Sequence, residues 1–476
     1  MNRRTFLKAV GALGAGAAVS RALASDLTIT SNPRGFNATA LGTEVRAVVA
    51  DQFNYIRPAS LPKVINVFLY GGPSELAGNL TNIGDINFKS QNKYPSTLQP
   101  GVSGSAYTRN GFWSSAGGNQ MESLLAANDL SVYRTIHRVR DDNKGHGRSV
   151  TQNLVGSVDA DSPGMAHTLA LILTANDVFG ARGPDSLFLP FVSFEGTSRA
   201  FYEGDNRTPI PSALKYIALD PGLADSPFQR GANNLLPVGS SDDATLDALA
   251  KSISESYGTR YAEMNRSLAN RAKLDQFIAT RYNLATVNAV LPAGVSYPNT
   301  RTGRALKAAV SLVLLSPDTL FIAVNGIGTG WDDHNIALTN YPPRMDDLMS
   351  SLSTAVAHLK ASNRNDVVIN VFGDFGRNVN LNETLGWDHG NNQNFYTLAG
   401  SAIPGRSLGK LVGKTTCTGT ANESRLFTTP TLDSYQCEPF AIAATMYKYF
   451  GLRNPEIFTG GILPIDETTP PNLRTN

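Results

Sequence analysis

The sequence predicts an α/β fold, a three-layer sandwich in which helices cover both faces of a mostly parallel central sheet. Three observations carry that expectation. Apolar runs at 64–70, 318–325 and 366–373 are bounded by turn-forming residues, as strands buried on both faces are. Amphipathic stretches of helical period lie between them, the alternation of strand and crossover helix that builds a covered parallel sheet. The 476 residues are 41% hydrophobic and 17% charged, enough apolar side chains for a large core.

The chain opens on an address. Residues 2–8 read Asn-Arg-Arg-Thr-Phe-Leu-Lys, a run rich in Ala and Gly follows from Ala9 to Ser20, and Ala22-Leu23-Ala24 forms a small-residue cleavage site. In that order they predict a twin-arginine export signal over residues 1–24, although an amphipathic amino-terminal helix would begin the same way. A 12-residue apolar run is too short to cross a bilayer about 30 Å thick. Residues 25–476 are then a single α/β domain with long loop and helical insertions, periplasmic or secreted. No later stretch reaches about 18 apolar residues, so no transmembrane segment is expected.

Charge and cysteine content exclude several classes. Lys plus Arg number 41 and Asp plus Glu 39, a formal charge of +2, too balanced for a dedicated nucleic-acid binder, which usually shows a strong basic excess. Loss of residues 1–24 removes Arg3, Arg4, Lys8 and Arg21 and no acid, which leaves 37 basic against 39 acidic residues and a charge of −2. Two cysteines exclude a disulfide-dense scaffold and a four-cysteine zinc site. In an oxidising compartment a Cys417–Cys437 bridge is expected, worth on the order of 3 kcal/mol, with two buried thiols as the alternative.

The elements follow in order. Val64–Tyr70 is a buried strand that ends in Gly71-Gly72-Pro73. Residues 76–118, rich in Asn, Ser and Gly, read as a long surface excursion. A strand is expected at 130–136, helices near 149–156 and 164–175, and a strand near 187–194. Residues 196–242 read mostly as loop. The longest helical pattern runs from Asp243 to about Asn283, and another covers 301–315. Strand 318–325, helix 343–361, strand 366–373, strand 395–399 and helix 439–450 complete the chain. Ligands of open α/β sheets bind in loops at the carboxyl ends of the strands, and the polar clusters occupy such positions.

Four clusters carry candidate chemistry. Gly330-Trp331-Asp332-Asp333-His334 places two carboxylates and an imidazole within three positions, ligands for one divalent ion. An acidic surface turn would read the same. Gly373-Asp374-Phe375-Gly376-Arg377 sets a carboxylate at the end of strand 366–373 and a guanidinium able to clamp an oxyanion; a capped turn with an internal ion pair is the alternative. Gly386-Trp387-Asp388-His389-Gly390 adds an imidazole in a polar loop. In Asp141-Asp142-Asn143-Lys144-Gly145-His146-Gly147-Arg148-Ser149, Ser149 is either a helix cap or a nucleophile, beside His146 and Arg148. Of six histidines, His146, His334 and His389 lie in these clusters beside Asp and Gly. Gly326-Ile-Gly328-Thr-Gly330 has Trp331 where a dinucleotide loop needs glycine, and no phosphate loop or nucleophile elbow is present.

The signal Arg3–Lys8, the turn Gly71-Gly72-Pro73-Ser74, Gly330-Trp331-Asp332-Asp333-His334, Asp374-Phe375-Gly376-Arg377 and Asp388-His389 occur in this order. Together they resemble the exported bacterial family catalogued as domain of unknown function 1501, grouped with the alkaline phosphatase and sulfatase superfamily. The resemblance implies an alkaline phosphatase-like fold with metal ligands on loops at one sheet edge. It makes Asp332, His334, Asp374 and His389 the expected ligands of a divalent metal, whether zinc, calcium or magnesium. Ser149, His146 and Arg377 are the candidate catalytic residues, with Ser74 a second candidate nucleophile. Where the superfamily places an Asp after the first strand, this chain has Ser74-Glu75, and Gly390 replaces a Trp common in the family.

Two functions follow. One is a metal-dependent hydrolase of small-molecule or polymeric phosphate or sulfate esters. The other is a non-catalytic exported scaffold or binding protein that keeps the hydrolase fold.

Overall fold

The computed structural model describes residues 54–76, 94–95, 107–141, 144–205, 210–219, 241–256, 273–325, 330–418 and 427–468, apart from 275 and 278. The expected export signal lies outside the described residues.

The core is an eight-stranded sheet. Its centre is β1 (Lys63–Leu69), which pairs in parallel with β5 (Phe321–Asn325) on one side and β6 (Val367–Gly373) on the other. Beyond β5 lie β3 (Phe191–Ser193) and β4 (Ile217–Ala218), both parallel. Beyond β6 lie β9 (Asn392–Ala399), β2 (Leu130–His137) and β10 (Leu411–Val412). β9 pairs antiparallel with both neighbours and is the one strand of this sheet that runs against the rest. Its amino-terminal end therefore lies at the rim where the other strands have their carboxyl ends.

Every residue of β1 and β6 is buried, as both-face coverage requires. Alternation divides them: Ile65, Val67 and Leu69 join one apolar cluster, Val64 and Phe68 the other. The first cluster takes in α1 (Gly118–Ala126), α6 (Arg301–Leu315) and α7 (Ala337–Ala361). The second takes in α2 (His146–Val155), α3 (Met165–Ala175) and α8 (Ala441–Tyr449). The expected mostly parallel sheet under two helical layers is what the chain forms.

Several local expectations change. Within the supposed surface excursion, Leu76, Tyr94, Phe112, Trp113 and Ala116 are buried, so this polar stretch carries aromatic anchors into the core. Of the long pattern from 243, the described residues form α4 (Ser241–Ser256) and helical turns within 273–280, and α5 (Leu284–Ala289) follows its end. Asn283 begins that second helix with a capping box to Thr286. Helix α7 starts at Ala337, six residues before the expected 343, and contains Pro342 and Pro343. Helix α2 starts at His146, so Gly145 rather than Ser149 is its cap. The expected Cys417–Cys437 bridge is absent: Cys437 is a free thiol. Its backbone pairs with Thr135 and His137 of β2, whereas Cys417 pairs with Thr428 in the hairpin of β11 (Thr415–Thr418) and β12 (Phe427–Pro430).

Candidate metal centre

The carboxyl-terminal rim collects the polar clusters. Beyond β5 the chain returns at Gly330–His334, beyond β6 it presents Asp374 to Arg377, and α2 opens with His146 after β2. A two-stranded ribbon of β7 (Gly376–Arg377) and β8 (His389–Gly390) pairs Arg377 with His389 and locks the third loop to the second. Gly71 lies where these loops cross. Its φ is +111°, and a Cβ there would stand 2.5 Å from the Asp332 backbone nitrogen, so only glycine fits.

Asp332, His334, His389 and His146 converge, with ligand atoms all within 4.8 Å of one another. His334 Nε2 lies 3.0 Å from Asp332 Oδ1 and 3.1 Å from His389 Nε2. Asp332 Oδ1 lies 3.4 Å from His146 Nε2 and 3.9 Å from His389 Nε2. Donors about 2.0–2.1 Å from a tetrahedral ion stand roughly 3.3 Å apart, so the four atoms have the spacing of one coordination shell.

The opposite nitrogen of each ring is held. His146 Nδ1 lies 2.7 Å from Asp374 Oδ2, His334 Nδ1 lies 3.2 Å from Asp388 Oδ1, and His389 Nδ1 lies 2.7 Å from the Lys144 carbonyl. Acceptors at all three Nδ1 positions keep the proton there and turn the Nε2 lone pairs inward, the arrangement that orients metal-binding histidines. His146 Nε2 is buried without a hydrogen-bond partner. The Nε2 atoms of His334 and His389 face each other as two acceptors, a contact that a cation between them would relieve. The donor set therefore fits a divalent ion.

Electrostatics separates the rings. Burial, then the charges of Arg377 and His146, lowers the His389 imidazole to about 4, leaving it neutral and able to ligate. The hydrogen bond to Asp374 raises His146. Burial pulls the Asp332 carboxyl upward, but the hydrogen bond and charge of Arg377 overcome it and hold it below the usual carboxylate range. Asp333 turns the other way, is buried, and pairs with Arg344 at 2.8 Å.

Of the expected ligands, Asp332, His334 and His389 meet, and His146 joins them. Asp374 stands behind His146, fully buried. Arg377 donates from Nε to the Gly72 carbonyl and from Nη1 to the Trp387 carbonyl at 2.9 Å, while Nη2 reaches the Gly71 carbonyl and Asp332 Oδ1. It rivets three loops rather than leaving a free fork for an oxyanion. Ser149 is wholly buried within α2, and Ser74 is 3% exposed. Glu75 is buried beneath the rim and accepts from the Arg377 backbone N–H at 3.1 Å and the Thr428 hydroxyl. Asp388 was not among the expected site residues, although its place immediately before His389 was a signal. The mouth is open: the side chains of Asp332, His334 and His146 are 48%, 37% and 35% exposed.

All three tryptophans of the chain lie under the rim. Trp331 and Trp387 pack edgewise on Tyr341, Trp113 contacts both Tyr341 and Trp387, and the Trp387 indole N–H donates to Tyr94 at 2.7 Å. This buried aromatic floor fixes the two loops whose Trp-Asp segments carry His334 and His389.

The model of the family described as "Protein of unknown function (DUF1501)" matches residues 62–457, and the chain belongs to that family. No curated protein matches the sequence. Among solved structures, a protein in the alkaline phosphatase superfamily from Vibrio parahaemolyticus is 9% identical, with 88% of this chain and 72% of that chain covered and a TM-score of 0.35. Alkaline phosphatase from the Antarctic bacterium TAB5 is 12% identical, with 71% and 92% covered and a TM-score of 0.30. The zinc complex of the C-terminal periplasmic domain of EcEptC from Escherichia coli is 10% identical, with 73% and 76% covered and a TM-score of 0.32. No helix among the described residues is long and apolar enough to cross a membrane.

Proposed function

We propose that this member of the DUF1501 family is an exported, metal-dependent hydrolase of phosphate or sulfate esters, built around a single three-histidine, one-aspartate ion site. The observation that carries the reading is the convergence of three Nε2 atoms, each with its Nδ1 held by an acceptor. Three imidazoles favour zinc over calcium or magnesium, whose sites are built from oxygen.

A bound zinc ion would supply Lewis acidity toward an ester oxygen and lower the pKa of water. His146, His334 and His389 would hold it, and Asp332, the most exposed member of the cluster, would be the donor whose place water can share or take. Asp374, Asp388 and the Lys144 carbonyl keep each ring in the ligating tautomer. Arg377 stays on Asp332 and fixes that carboxylate at the mouth. With Ser149 and Ser74 buried, water rather than a serine hydroxyl is the nucleophile in this reading.

The same burial of both serines, and the commitment of Arg377 to carbonyls, favours the second reading, an exported binding protein that retains an ion site for structure. Hydrolysis of 4-nitrophenyl phosphate and 4-nitrophenyl sulfate by zinc-loaded protein separates the two. Turnover lost in Asp332→Asn and in His389→Ala supports the hydrolase, and zinc binding without turnover supports the scaffold.

A further inference from the structure

A separate concavity lies beside β3 and β4, and none of the four clustered residues lines it. It encloses about 440 Å³, within the range of small-ligand sites. Phe191 at the start of β3 and Phe201 form its apolar side, and Phe201 stacks on Tyr216 with centroids 4.4 Å apart at 16°. Tyr202 lies under the Arg199 guanidinium, whose carbon is 4.7 Å from the ring centroid. Ser198 and His167 add polar edges.

The charges of the lining differ in their commitments. Lys215 is paired with Glu203 at 2.9 Å. Arg199 makes no ion pair among the described residues, and it is exposed on its tyrosine. A planar guanidinium set on an aromatic ring presents its N–H edge outward, suited to bidentate recognition of a tetrahedral anion. Aromatic faces, hydroxyl and imidazole edges and one uncommitted guanidinium match a sugar ring that bears an anionic group.

We infer that this cavity binds an anionic sugar unit, a sugar phosphate or a sulfated sugar, at a position separate from the metal centre. Arg199 takes the anion and Tyr216 with Tyr202 takes the ring. The site is independent of whether the metal centre hydrolyses esters, because none of its lining residues belongs to that centre.

Calorimetric titration of the chelator-treated full chain tests it, with glucose 6-phosphate, glucose and inorganic phosphate as probes. One glucose 6-phosphate per chain is expected, bound at least tenfold more tightly than glucose or phosphate. Arg199→Gln, at an exposed side chain, should weaken it at least tenfold with an unchanged thermal melt, and Tyr216→Ala should weaken it at least tenfold as well. His389→Ala should leave it unchanged. Glucose 6-sulfate binding within a few-fold of the phosphate would show that the shared anion chemistry is what is read. Binding lost in His389→Ala but kept in Arg199→Gln would place the ligand at the metal centre and overturn the inference, as would no binding of any probe at millimolar concentration.

Discussion

The carboxylate of Asp374 and the imidazole of His146 meet at 2.7 Å between Oδ2 and Nδ1, the acid wholly buried and the ring open to the mouth. Asp374 is itself held from the far side: Asn153 donates to its backbone carbonyl at 2.8 Å, and the Gly71 N–H approaches Oδ2 at 3.4 Å. The pair joins the end of β6 to the first residue of α2, and it aims the Nε2 lone pair of His146 at Asp332.

Asp374→Asn removes the charge that fixes this tautomer and keeps the shape. Zinc affinity should fall about 10- to 100-fold, the usual effect of losing such an orienting acceptor. Competition against a chromophoric chelator measures it. An affinity unchanged by the substitution would mean that His146 does not ligate.

Gly71→Ala should damage fold and site together. The added methyl group meets the Trp331 and Asp332 backbone within 2.7 Å, in a left-handed conformation that alanine resists. A loss of stability of about 2–4 kcal/mol is expected, read from urea midpoints, together with weakened zinc binding.

The pH dependence of stability has a specific source in Glu75. Burial, the largest influence, raises its carboxyl from 4.5 to about 7, against donation from Thr428 and Arg377. The folded chain therefore holds a proton between those values that the unfolded chain has released, so this group's contribution is lost as pH rises through about 7. Glu75→Gln mimics the protonated form and should remove a loss on the order of 3 kcal/mol between pH 4.5 and 7.5. Urea melts at both pH values, compared with the parent chain, check the sign.

Ile336 precedes α7 with φ +40° and is 51% exposed, a conformation that a β-branched side chain resists. Ile336→Asn keeps the backbone at lower strain and loses little burial. A gain of about 1 kcal/mol in urea denaturation is expected; a loss would show that the side chain packs where its exposure denies it.

The strands were legible because β1, β5 and β6 are continuous apolar runs, which burial on both faces demands. The extent and direction of β9 were not, since Asn392, Gln393 and Asn394 hide three of its eight residues behind polar letters, and strand direction leaves no mark in a short run. Helix α7 begins six residues before the expected 343, and its first two turns contain Pro342 and Pro343. Asp332, His334 and His389 stood in clusters of Asp and His beside glycine, and the family resemblance named them as ligands together with Asp374, which stands one step behind His146. His146 read as a catalytic residue because its loop is full of acids and precedes a helix; its place in the ion site depends on the reversed β9, which brings His389 against Lys144. Trp113 shows the same limit in the core: a few scattered aromatics in a polar stretch give no period to read, yet it packs against Trp387.

X-ray absorption at the zinc edge of the zinc-loaded chain tests the metal centre most directly. One zinc per chain with three imidazole nitrogens at about 2.0–2.1 Å is predicted, falling to two imidazoles in His146→Ala. Substoichiometric zinc, or a shell of oxygens with no imidazole scattering, would contradict it.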